Sequence, residues 1–234
     1  MKSTPSRGGK KYFITFIDDC TRFFYVYLLS SKDEGIDSFK QYKNEVVNQL
    51  NMKIKMIRSD RGGEYESLFA EICLEYCIIH QTTAPYTPQS NGLVERKNRT
   101  LKEMMNALMI NSGSPRNLWG EAILTANKIL NRVPHRKTQS IPYELWKGRK
   151  SNLKYFKVWG CLAKVEVPLP KMVKIGPKTI DCVFIGYAVN SKACRFLVHK
   201  SDNPEIHVNT IIESDNAEFF ENIYPYKTES ESTS

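Results

Sequence analysis

The hydrophobic positions at the start of the chain predict a β-hairpin followed by a helix. Two runs rich in aromatic and β-branched residues, "KYFITFIDD" and "RFFYVYLLSS", are joined by the short segment Asp18 to Thr21, which is typical of antiparallel strands. From Ile36 to Leu50 the apolar residues recur with a helical period. A short strand, "IKMIRSD", is expected next.

The same alternation of strand and helix continues to about residue 130. Residues 65–77 have a helical pattern, and "CIIHQTTAP" predicts another short strand. Two further helices are expected, one from 91 to about 110 and one that begins at Ser114-Pro115 and continues through Leu130. This order is typical of an α/β domain in which helices cover a mixed sheet.

After residue 135 the pattern changes to short alternating strands. An irregular basic connector precedes the strand-like runs "CLAKVEV", "TIDCVFIGYA", "CRFLVHK" and "IHVNTIIE". Short strands separated by turn residues indicate a small β-barrel or sandwich. The predicted organisation is a terminal loop at 1–9, an α/β core at 10–134, the connector at 135–152, the β domain at 153–220 and a disordered tail at 221–234.

Composition indicates a folded protein and limits the classes to which it can belong. The 234 residues are 41% hydrophobic and 25% charged, as in ordinary folded domains. No stretch reaches the roughly 18 consecutive apolar residues of a membrane span, and no apolar segment follows Met1, so neither a span nor a signal peptide is predicted. The expected location is intracellular, and no membrane partner is expected.

The net charge of +9 is unevenly distributed along the chain. Between Lys128 and Lys178 there are thirteen lysines and arginines against two acids. A basic surface of this density favours a polyanionic partner, of which nucleic acid is the commonest. The alternative is that these lysines only decorate a solvated face.

Two acids, Asp60 and Glu95, lie at the ends of predicted elements. Asp60 ends the strand "IKMIRSD", and Glu95 lies in the first turn of the helix that follows the loop "PYTPQSNG". Taken singly, Asp60 is equally typical of a turn, and Glu95 of an acid favoured by the helix dipole. Together, beside an excess of bases, the pair favours a metal site for phosphoryl transfer, because Mg²⁺ prefers carboxylate oxygens.

Helical spacing places three more residues on the face of Glu95. These are Asn98 at i+3, Arg99 at i+4 and Lys102 at i+7. The two bases are positioned to neutralise DNA phosphates without reading sequence. We therefore predict that Asn98, Arg99 and Lys102 bind nucleic acid.

Four stretches, in this order, carry a resemblance to a known family: "YFITFIDDCTRFFYVYLL", "IRSDRGGEY", "TAPYTPQSNGLVERKNRTL" and "VWGCLAKV". They resemble the integrase region of copia-type (Ty1/copia) LTR retrotransposon Pol polyproteins, from about Gly9 to about Glu218. The resemblance implies a ribonuclease-H-like integrase core followed by an SH3-like β domain. It also implies a homo-oligomer that acts on the DNA ends of the retroelement and on target DNA.

The resemblance further implies a catalytic triad of two aspartates and a glutamate that binds Mg²⁺ or Mn²⁺. Such a site trims the 3′ ends of the element's DNA and joins them to target DNA. Matched by motif, Asp60 is the second acid and Glu95 is the third. The first aspartate of the family lies on a strand upstream of "GGKKYFITFIDD", so this chain begins too late to contain it, and Asp18 and Asp19 belong to a different motif.

We therefore expect an integrase fragment with two of three metal ligands, which binds nucleic acid but is inactive alone and is nuclear if functional. Without that strand, the predicted hairpin is expected to expose an unpaired edge. Two alternatives remain open. One is an active DNA-joining enzyme in which Asp18 or Asp19 substitutes for the missing ligand, or in which a longer precursor supplies it. The other is a non-catalytic nucleic-acid-binding module.

Overall fold

The computed structural model describes residues 4–59, 66–82, 92–136, 138–168 and 176–227, without the side chains of Glu66 and Ser67. The described residues form two compact units. Unit 1 comprises those within Met1–Pro5, Gly9–Lys102 and Leu130–Lys150; unit 2 comprises those within Ser6–Gly8, Glu103–Ile129 and Ser151–Ser234. Residues 103–129, predicted to be part of the α/β core, thus group with the β strands of unit 2. The predicted domain boundaries stay predictions.

Unit 1 contains two strand pairs, both at the places that the sequence pattern predicts. Strands β1 (Tyr12–Ile17) and β2 (Phe24–Leu29) pair antiparallel, and β3 (Met56–Ser59) and β4 (Ile79–Thr82) pair in parallel. Among the described residues, the two pairs are separate two-stranded sheets. Each sheet therefore keeps edges that no described strand covers.

Helices pack on the hairpin because its side chains alternate between its two faces. The long helices are α1 (Gly35–Leu50), α2 (Glu66–Glu75) and α3 (Gly92–Ser112). On one face of the hairpin, the Phe16 ring stacks on Tyr42 of α1 with centroids 4.8 Å apart. The core on this side is apolar; its buried members are Phe23, Phe39, Tyr42, Val46, Ile72, Cys73, Ile78 and Trp146.

The basic connector is not wholly irregular, so that part of the prediction was wrong. Residues Pro142–Lys147 form a short helix, α5, with proline at its N-terminal turn and Gly148 in the left-handed conformation at its end. Trp146 is buried and stacks on Phe23 at a centroid distance of 5.2 Å. Burial of the Trp146 ring within unit 1 fixes helix α5, which is too short to show a periodic pattern in the sequence.

Unit 2 contains helix α4 (Trp119–Leu130) and a five-stranded antiparallel sheet. The last residue of α4, Leu130, is assigned to unit 1. The strands are β5 (Leu162–Glu166), β6 (Thr179–Tyr187), β7 (Cys194–Lys200), β8 (Ile211–Ser214) and β9 (Ala217–Phe220), in the order β8-β7-β6-β5-β9. Four were predicted, and β9 was not. The predicted α/β class with a small β domain is confirmed.

The described part of the predicted tail continues the fold of unit 2. Leu162 donates its backbone N–H to the carbonyl of Ile223 at 2.8 Å, and Pro225 is buried. Residues 228–234 lie outside the described residues. The prediction of disorder for them stays a prediction.

Two close contacts join the helices of unit 2 to its sheet. Gly160 lies so near Ser112 of α3 that a Cβ at Gly160 would come within 2.2 Å of the Ser112 Cβ. Arg195 of β7 donates two hydrogen bonds to the Glu121 carboxylate, at 3.1 and 2.9 Å, and also pairs with Glu213. These contacts make residues 103–129 part of the same packed unit as the β strands.

No helix in the described ranges has both the length and the apolar character that crossing a membrane requires.

Candidate nucleic-acid and metal site

The predicted functional face of α3 is present on the surface of unit 1. Glu95 lies in the first turn of the helix and is exposed, as are Arg99 and Lys102. Asn98 is half-buried. The face that carries Glu95 therefore presents one carboxylate and two cations to solvent from neighbouring turns, and Asn98 lies at the border of this face with the packed one.

The first turns of α3 are held against the hairpin face that α1 does not cover. Thr15 of β1 donates a hydrogen bond from Oγ1 to Oδ1 of Asn98 at 3.0 Å. Leu101 is fully buried, and the Lys97 ammonium lies 4.9 Å from the centroid of the Phe24 ring. Sequence reasoning missed Thr15. The available signal was the alternation of side chains along the strand: Ile14 and Phe16 point to α1, so Thr15 points to the opposite face of the hairpin.

The side chain of Lys97 differs from its exposed basic neighbours. Burial lowers the pKa of the Lys97 ammonium below its usual range, and the nearby Arg22 guanidinium lowers that pKa further. Desolvation disfavours the charged form of a lysine, and a second cation has the same effect. Lys97 therefore packs on the hairpin, whereas Arg96, Arg99 and Lys102 are exposed bases of α3.

Asp60 lies outside the described residues, so the structure gives no distance between it and Glu95. The strand that precedes it is well defined. Ser59, the last residue of β3, shares a 2.9 Å hydrogen bond between Oγ and Nε2 of His80 on the parallel strand β4. The His80 ring packs edge-on against Phe69 of α2 at 5.0 Å. The strand end before Asp60 is thus tied to α2 and β4.

The acids after β1 have structural partners. Asp18 Oδ2 accepts hydrogen bonds from the backbone N–H and from Oγ1 of Thr21, both at 2.7 Å. Asp19 pairs with Arg22 at 2.9 Å and with Arg58 of β3 at 3.7 Å. Both carboxylates stabilise the hairpin turn and its link to β3.

The described residues test the predicted metal ligands only in part. Glu95 offers an exposed carboxylate of the type that Mg²⁺ and Mn²⁺ bind. Within the described ranges, no group of three or more His, Cys, Asp or Glu side chains is arranged to hold a metal ion. One of the two predicted ligands is therefore described, and the metal site stays a prediction.

The connector contributes further exposed bases, namely Arg136, Arg149 and Lys150. Lys147 in the same segment is half-buried, and burial lowers its pKa. Beyond the connector, Lys157 pairs with Glu221 at 3.5 Å. The basic segment thus divides into bases that stabilise the fold and bases that face solvent.

Solved structures similar to this chain include the following two. The simian T-cell lymphotropic virus intasome in complex with PP2A regulatory subunit B56 gamma overlaps 88% of this chain and 71% of the matched chain, with 17% identity and a TM-score of 0.49. The HTLV-2 integrase catalytic core domain in complex with magnesium overlaps 56% of this chain and 82% of the matched chain, with 22% identity and a TM-score of 0.45.

Curated relatives have higher sequence identity to this chain than these two structures have. The Retrovirus-related Pol polyprotein from transposon TNT 1-94 of Nicotiana tabacum is 41% identical over 184 residues, which is 78% of this chain and 14% of the polyprotein. The corresponding polyprotein from transposon RE1 of Arabidopsis thaliana is 29% identical over 94% of this chain and 15% of its own length. The chain therefore spans only about a seventh of the relatives that it matches.

Two family matches cover most of the chain. Residues 2–88 match the integrase core domain, a range that includes Asp60 and ends before Glu95. Residues 161–233 match the retroviral polymerase SH3-like domain, a range that includes all five strands of the unit 2 sheet. The chain therefore carries an integrase core domain followed by a retroviral polymerase SH3-like domain, and its matched relatives are Pol polyproteins of copia-type retrotransposons.

Proposed function

We propose that this chain is the part of a retrotransposon integrase that binds DNA, and that it does not join DNA strands on its own. The observation that carries the proposal is the exposed face of α3, where Arg99 and Lys102 follow Glu95 within two helical turns. The integrase core match supports DNA as the partner. We also propose the retroelement ends and target DNA as substrates, a homo-oligomer as the working assembly and the nucleus as its location.

Binding through this face is electrostatic. Each base that contacts a phosphate releases a condensed counterion, which gives affinity without sequence preference and makes that affinity fall with salt. The exposed Arg136, Arg149 and Lys150 of the connector supply further positive charge of the same kind. This distribution suits a protein that must accept many different target sequences.

The proposed metal ligands are Asp60 and Glu95. A bound Mg²⁺ or Mn²⁺ supplies the activation of water or of a 3′-hydroxyl and stabilises the leaving oxygen. The contribution of this chain is to hold the Glu95 carboxylate on a helix whose first turns are fixed by Thr15 and Leu101. Arg99 and Lys102 then orient the DNA backbone beside that carboxylate.

Inactivity of the chain alone is supported by the engagement of Asp18 and Asp19. Recruiting Asp18 as a third ligand means giving up its two hydrogen bonds from Thr21, and recruiting Asp19 means giving up its ion pairs with Arg22 and Arg58. The proposed site therefore uses the carboxylates of Asp60 and Glu95, and neither Asp18 nor Asp19 is proposed as a third ligand.

The salt dependence of DNA binding tests the proposed α3 face. We expect the double variant R99A/K102A to lower the slope of log affinity against log salt concentration by about 1.8, because each lost phosphate contact on duplex DNA removes about 0.9. Fluorescence anisotropy with duplex DNA at several salt concentrations measures this slope. The matched control is K53A/K55A, which removes two exposed lysines from the segment before β3. Equal slopes for the two variants contradict the proposed face.

A second candidate is an active enzyme in which a longer precursor supplies the missing ligand. It is favoured by the two separate two-stranded sheets of unit 1, since among the described strands β1 pairs only with β2 and β3 only with β4. Open strand edges accept a further strand through backbone hydrogen bonds. A strand that carries an aspartate and pairs at such an edge completes the proposed site.

A further inference from the structure

We infer that Thr15 is a positioning residue for Glu95, and that Asn98 acts with it as an anchor and not as a contact to nucleic acid. This inference rests on the proposed function, because it concerns the carboxylate proposed to bind the metal. It starts from the 3.0 Å hydrogen bond between Thr15 Oγ1 and Asn98 Oδ1, which joins β1 to α3.

Apolar packing alone does not fix the direction in which Glu95 points. Leu101 is fully buried and Met105 is nearly so, so this side of α3 makes apolar contacts. Such contacts are non-directional, so they tolerate small rotations of the helix about its own axis. The Glu95 carboxylate lies outside the packed stripe, and a rotation of the helix moves it directly.

The hydrogen bond from Thr15 to Asn98 is directional, so it can fix the rotation of α3 about its own axis. Asn98 is three residues after Glu95, which is less than one helical turn and about 4.5 Å along the axis. Thr15 lies in a strand whose register with β2 is continuous from Tyr12 to Ile17. A directional bond from a fixed strand to the border of the exposed face therefore sets the rotation of the turn that carries Glu95.

The same geometry separates the roles of the residues on this face. The Asn98 side-chain oxygen is occupied by Thr15, and the residue is half-buried. Arg99 and Lys102 are exposed, as phosphate-binding side chains must be. Replacing Asn98 should therefore affect the carboxylate site, whereas replacing the two bases should affect the salt dependence of DNA binding.

The test compares T15V, which keeps the shape of threonine and removes the hydroxyl, with T15S, which keeps the hydroxyl. Two quantities are measured on the full 234-residue chain: the Mn²⁺ affinity by electron paramagnetic resonance, and the hydrogen-exchange rates of the α3 backbone amides from Arg96 to Leu101. For T15V we expect Mn²⁺ affinity to fall by about three- to tenfold, the effect of one hydrogen bond. Exchange in this segment should become faster by a similar factor, with β2 unchanged. T15S should stay within about twofold of the unmutated chain on both measures.

Two further variants separate the anchor from the proposed metal site. N98A should reproduce T15V, leave the salt slope of DNA binding unchanged, and add nothing when combined with T15V. If T15V and T15S behave alike on both measures, the inference is wrong, whatever the unmutated chain binds. If the unmutated chain binds no Mn²⁺ while T15V alone loosens α3, the metal proposal fails and the anchoring role of Thr15 stands.

Discussion

Replacing Gly160 by alanine is expected to destabilise unit 2 by about 4 kcal/mol. Gly160 has a φ of +81°, a conformation in which an L side chain is strained, and the added Cβ would lie 2.2 Å from the Ser112 Cβ. The backbone strain contributes about 1–2 kcal/mol, and overpacking against α3 contributes the rest. An effect of this size is a large fraction of the stability of an ordinary domain.

Gly148 provides the matched control for this variant. Its φ is +64°, and no atom lies within 4 Å of the position that a Cβ would take. We therefore expect G148A to cost about 1 kcal/mol, from backbone strain alone. Urea unfolding followed by circular dichroism measures both variants. A cost for G160A no larger than that for G148A contradicts the close packing of Gly160 on Ser112.

Replacing Asn131 by leucine is expected to destabilise unit 1 by about 3 kcal/mol. Asn131 is 2% exposed, and its side chain binds both backbone groups of Phe24 in β2: Oδ1 accepts from the N–H at 3.0 Å and Nδ2 donates to the carbonyl at 2.8 Å. The amide thus takes the place of a neighbouring strand at the edge of β2. Leucine has a similar volume, so the loss comes from two unsatisfied backbone groups and not from a cavity.

The control for Asn131 is the exposed Asn44 of α1. N44L should change the free energy of unfolding by less than about 0.5 kcal/mol, as is usual for surface positions. The same urea titration compares the two variants. If N131L were as stable as N44L, the side chain of Asn131 would not be holding the edge of β2.

The elements with long periodic patterns were predictable from sequence, and the short ones were not. Helix α1 and the hairpin repeat their apolar positions over many residues, so local pattern is enough. Strand β9 is four residues long and is held by pairing with β5, where Leu162 lies opposite Phe220. Helix α5 is six residues long and depends on the stacking of Trp146 on Phe23. Both depend on partners distant in sequence.

The candidate site also has features that the sequence pattern predicts and features that only the folded structure shows. Helical spacing predicts that Glu95, Arg99 and Lys102 share one face, and all three side chains are exposed; their functional roles stay predictions. The bond between Thr15 and Asn98 joins residues 83 positions apart, and only the packing of α3 on the hairpin brings them together. A pattern within one helix shows which residues share a face, but not which of them meets another element.

A strand-joining assay tests the central claim most directly. The unmutated chain is incubated with Mn²⁺, labelled DNA ending in the retroelement terminus, and target DNA, and joined product is measured beside a binding control. The account predicts that the chain binds the DNA and forms no joined product unless a further strand carrying an aspartate is supplied. Joined product formed by the chain alone and abolished by D60N would contradict it.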